Sequence, residues 1–68
     1  MNRQDRIDLI KSYLNRLGAG EDLEVLRGEF RENFKDVDPS EILAAEESLI
    51  KDGTPINELQ KLCDLHLP

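Results

Sequence analysis

Apolar residues at Ile7, Ile10, Leu14 and Leu17 step by three, four and three, which draws one stripe down a helix. Gly18 and Gly20 follow and close it. Asp22 or Glu21 is placed to accept from the free amides of a second helix, along which Leu23, Leu26, Phe30 and Phe34 keep the helical step. Gly28 interrupts that helix at a cost of about 1 kcal/mol relative to alanine, either to admit a close neighbour or as a surface glycine. The run DPSE at 38–41 is the clearest start in the chain. Asp38 caps, Pro39 gives up an amide that had no partner, and Glu41 reaches back to close a capping box. The third helix passes through Ile42, Ala45, Leu49 and Ile50 to Gly53, whose freedom to take positive φ closes it. Thr54 then caps a fourth helix with Pro55 in its first position, and Ile56, Leu59, Leu62, Cys63 and His66 follow.

Asp52-Gly53 lies between helical patterns and not between alternating ones, so no hairpin is expected. The pattern predicts an all-α fold, a compact bundle of four short helices at about 4–17, 22–35, 39–52 and 55–66, forming one domain over residues 1–68. Leu26, Phe30, Ile42, Leu49, Ile56 and Leu59 are expected to meet in its core.

Length changes the functional picture. Sixty-eight residues is near the lower limit for a core without disulfides or metals, and leaves little room for a deep substrate pocket. Binding through an exposed face is the default. Fifteen acids against nine bases give a net charge of −6, a repulsive field for a phosphate backbone, which argues against nucleic acid. Asp5 and Asp8 break up the basic N-terminal stretch, so neither a secretory signal nor a membrane span is read there. A single cysteine excludes an internal disulfide and fits a reducing, cytoplasmic setting.

The candidate chemistry is confined to the end of the chain. Cys63 and His66, the only cysteine and histidine, stand at i and i+3 on one helical face, a thiolate and imidazole pair that zinc or iron accepts. Two ligands fall short of the three or four such a metal needs, and Asp64 projects from another face. A nucleophilic cysteine would need an aligned base, and the negative end of the helix dipole works against the thiolate. Covalent haem attachment needs a second cysteine, and a di-iron site needs several histidines. Glu46 and Glu47 point in different directions, and GAGE at 18–21 lacks the strand and lysine of a phosphate loop. The residues therefore predict a non-enzyme with no cofactor.

The run DVDPSEILAAEESLIKDGTPINELQKLCDLH at 36–66 resembles the second half of the bacterial and archaeal family known as domain of unknown function 438. The shared features come in order: an Asp-Val-x-Pro-x-Glu helix start, an Ala-Glu-x-x-Leu-Ile stretch, a glycine before the last helix and a closing Leu-Cys-Asp-x-His. GEDLEVLRGEFRENF fits the family's earlier helix pair, so the resemblance spans nearly the whole chain. It implies a module ahead of a hemerythrin-like cation-binding domain, and often a PAS domain, with Cys63, Asp64 and His66 as its marked positions. It also implies an excised domain or a short form without its partner, because the family's pattern continues past the histidine.

The function expected is that of a helical interaction and regulatory module, accessory to an iron, oxygen or redox sensor. The alternative is a metal- or haem-binding sensor using Cys63 and His66. Apolar residues on all sides of LCDLHLP point to burial on both sides of the last helix. Leu62, Cys63, Asp64, Leu65, His66 and Leu67 are thus expected to form a surface for an adjacent domain or a second copy. Leu65 and Leu67 would be its anchors. The partner expected is protein, with a homodimer as one form, and neither nucleic acid nor membrane.

Overall fold

The computed structural model describes residues 1–66 as four helices: α1 (Arg3–Gly18), α2 (Leu23–Phe34), α3 (Pro39–Lys51) and α4 (Ile56–His66). No strand occurs among the described residues, and the all-α bundle is the fold. Each helix end lies within a residue of the position read from sequence. None is long and apolar enough to cross a membrane.

Caps and glycines set these boundaries. Asn2 accepts from the amide of Asp5 at 2.8 Å, and the Asp5 carboxylate accepts in return from the Asn2 amide, a capping box the sequence reading passed over. Asp22, and not Glu21, caps α2 through the Glu24 amide. Asp38 caps α3 through the Ser40 amide at 2.8 Å, and this bond with the Ser40 hydroxyl holds the Asp38 carboxyl below its usual range. Both long turns close the same way. Gly20 and Gly53 take φ of 94° and 84°, and the amides of Glu21 and Thr54 reach back to the carbonyls of Arg16 and Leu49.

Two details of the expected caps differ. Glu41 does not reach back to Asp38, because its carboxylate is drawn across to α1, where Arg6 Nη2 lies at 2.6 Å and Arg3 Nη2 at 3.4 Å. Pro55 stands just before α4, and its carbonyl accepts from the amides of Glu58 and Leu59, so the helix opens one residue later than predicted.

α1 is the central element, packed against α2, α3 and α4, while α2 also meets α4. Its stripe is wider than the four residues read from sequence, since Tyr13 is buried beside Ile7, Ile10 and Leu14. A face of that breadth allows one helix to serve three neighbours. The Tyr13 hydroxyl accepts from Asn33 Nδ2 at 2.6 Å, which satisfies the one polar tip among the buried side chains. Phe30, 3 % exposed, lies between Tyr13 and Phe34, with ring centroids at 5.8 Å and 4.5 Å. Leu26, Ile42, Ala45, Leu49, Leu62 and Leu65 complete the core, and Leu59 packs at its margin. The Cα radius of gyration is 11.0 Å, close to the roughly 11 Å expected of a folded domain of this length.

Ile56 is not in the core; it is 73 % exposed. At about 100° per residue, Ile56 lies roughly 180° around α4 from Leu65 and 120° from Leu62. Successive steps of three, with no step of four between them, carry the apolar line off the buried face. Ile50, also exposed, follows Leu49 directly and so lies about 100° around α3 from it, off the line through Ile42, Ala45 and Leu49.

Candidate functional site

α4 divides its residues between two environments. Leu62 and Leu65 are buried in the chain's own core, so they are not surface anchors, contrary to the expectation for this helix. The reason is geometric. Positions 62 and 65, with 59 at the margin, form the inner face toward α1 and α2, and that face is fully used in holding the bundle together. Leu67 lies outside the described residues. Cys63, Asp64 and His66 are exposed at the C-terminal end.

No hydrogen bond or ion pair joins Cys63 and His66 among the described residues. The Cys63 thiol stands at the surface without a hydrogen bond, ion pair or ring contact among the described residues. The His66 ring leans inward, with its centroid 6.2 Å from that of Phe30 and its Nδ1 3.9 Å from Glu46 Oε1. That separation is too long for a hydrogen bond and becomes an ion pair only when the imidazole is protonated. Among the described residues no three His, Cys, Asp or Glu side chains converge as metal ligands. A metal held by Cys63 and His66 would require further ligands from outside those residues.

His66 belongs instead to a groove that sequence reasoning missed. Phe30, Phe34, Ile42 and Leu65 form its floor, and Arg31, Lys35 and His66 stand around it, enclosing about 210 Å³. The cations differ in their commitments. Lys35 Nζ is 3.0 Å from Glu32 Oε1. Arg3 and Arg6 pair with Glu41, Arg16 with Glu21 and Glu29, and Arg27 with Glu24. Arg31 alone among the five arginines has no carboxylate partner within the described residues. The signal in the sequence was two interleaved i,i+4 pairs, Phe30 with Phe34 and Arg31 with Lys35, which set cations beside an aromatic stripe at the end of α2.

A second depression, of about 240 Å³, is lined by Lys11, Leu14, Asn15, Leu49, Thr54 and Glu58. It lacks an aromatic floor and sets one cation against one anion, so it offers less basis for selecting a ligand. The strongest ion-pair chemistry also lies away from the groove. Glu21 and Glu29 hold the Arg16 guanidinium more firmly protonated than usual, and Arg3 and Arg6 hold the Glu41 carboxyl below its usual range. Both clusters tie helices or turns together.

Compared with known proteins, residues 10–68 match the family described as a family of unknown function (DUF438). No curated protein and no solved structure matches the chain.

Proposed function

Because the chain belongs to the DUF438 family, we propose that it is a non-catalytic helical interaction and regulatory module, and that the C-terminal end of α4 is its contact surface. One observation carries this reading. The helix spends Leu62 and Leu65 on its own core and leaves Cys63, Asp64 and His66 exposed, with His66 lining an apolar groove at one end of the bundle. A concave apolar lining bounded by polar groups is a common form of binding site. We assign its setting to a cytoplasmic sensing protein of the hemerythrin-like or PAS type, with a neighbouring domain or a second copy as the docked partner.

Calorimetric titration of the purified chain with a hemerythrin-like domain tests this. Saturable binding that weakens in His66→Ala supports the proposal; absence of binding, or binding indifferent to this end of α4, overturns it. Metal analysis and a visible spectrum after purification without chelator test the sensor alternative. Stoichiometric metal or a haem absorption band that disappears in Cys63→Ala would replace the module reading with that one.

A further inference from the structure

The groove beside α4 has a size, a floor and a charge, and together they describe its occupant more closely than "protein" does. Its volume of about 210 Å³ lies below the roughly 300–1,000 Å³ of ordinary small-molecule pockets, so it is suited to one large side chain and not to a whole metabolite. The floor of Phe30, Phe34, Ile42 and Leu65 offers no hydrogen-bonding side chain, which asks for an apolar group.

Charge then selects what flanks that group. The chain carries −6 overall and repels acidic partners on average, yet two cations, Arg31 and Lys35, stand at this rim beside the His66 imidazole. Glu32 engages Lys35, and Glu46 stands 3.9 Å from His66, while Arg31 has no carboxylate within the described residues. A guanidinium presents a planar fork of donors that matches a carboxylate in two parallel hydrogen bonds.

We infer that this groove seats an acidic, apolar segment of a partner protein, with one large apolar side chain on the Phe30–Phe34 floor and an adjacent carboxylate on Arg31. This rests on the interaction-module reading and adds the chemistry of the partner. Electrostatic steering directs such a segment to this rim and away from the acidic remainder of the surface. The chain's own α3 carries related chemistry, since Leu43 and Ile50 are exposed on either side of Glu47. A second copy is therefore the competing occupant that the experiment has to separate.

The test is fluorescence anisotropy with the dye-labelled peptide EEFLEE, against KKFLKK and EEAAEE as controls. The expected result is saturable binding of the first, weaker by about tenfold or more for either control. Arg31→Glu should weaken it by about tenfold or more, whereas Lys51→Glu, the same charge change at an exposed site outside the groove, should leave it within about twofold. Thermal melts of both variants should match the parent, because both positions are exposed. Equal binding of the basic peptide, no saturation up to about 1 mM, or equal loss in Lys51→Glu overturns the inference. So does sedimentation showing a parent dimer that Arg31→Glu dissociates, since the occupant is then a second copy. Failure of the peptide while the hemerythrin-like domain still binds removes only the partner chemistry; failure of both removes the module reading as well.

Discussion

Gly28 shows what a sequence leaves undecided at one position. Its place inside α2 was plain, but a surface glycine and a packing glycine read alike. A Cβ built there meets nothing within 4 Å and its φ is not positive, so it is a surface glycine. Gly28→Ala should therefore stabilise the domain by about 0.5–1 kcal/mol, seen as a higher Tm, chiefly by restricting the unfolded chain. A lower Tm would show that the position needs glycine after all. Glu41 was misread because a capping box is a local motif, whereas the residues that take its carboxylate, Arg3 and Arg6, come from α1. Arg6 is nearly enclosed, its side chain 13 % exposed. The lowered pKa of Glu41 fixes the sign of its pH dependence: its contribution is present above the ordinary glutamate value of about 4.3 and is lost as pH falls through the lower folded value. Glu41→Gln should thus melt at a lower temperature than the parent at pH 7, with the gap narrowing toward pH 3. A gap independent of pH would show that the pairing with Arg3 and Arg6 is not its cause.

At the scale of the element, helices were legible because their signals are local: a cap, a three-four step and a closing glycine each lie within a few residues. Which side of a helix is covered is a different matter. Ile56, Leu59 and Leu62 look like one stripe in the sequence, but repeated steps of three rotate Ile56 out to solvent. Leu65 looked like a spare apolar residue on a second face, and it is 3 % exposed in the core. The two sides of α4 therefore predict opposite outcomes for neighbouring substitutions. Leu65→Glu should abolish the cooperative melt, since it forces a carboxylate into an apolar interior. Cys63→Ser, on the exposed side, should shift the midpoint by no more than about 0.5 kcal/mol. A folded, stable Leu65→Glu would mean that α4 packs on another face.

At the scale of the molecule, the sequence indicated four helices and one bundle but not the groove, which exists only where α2 and α4 bring Phe34 and His66, thirty-two positions apart, to one end. Tyr13 escaped notice for a related reason. Its burial depends on Asn33 meeting its hydroxyl from another helix, a contact that no periodicity announces. Phe30 joins the two levels, because it is both part of the core and part of the groove floor. The central claim, that this end of the bundle is the contact surface of an interaction module, is tested most directly by amide chemical-shift mapping. The ¹⁵N-labelled chain is titrated with the hemerythrin-like domain and the perturbed resonances are placed on the structure. The account predicts that they cluster at Arg31, Phe34, Lys35, Cys63 and His66 and spare the exposed residues of α1. Perturbations confined to α1, or none at saturating concentration, would contradict it.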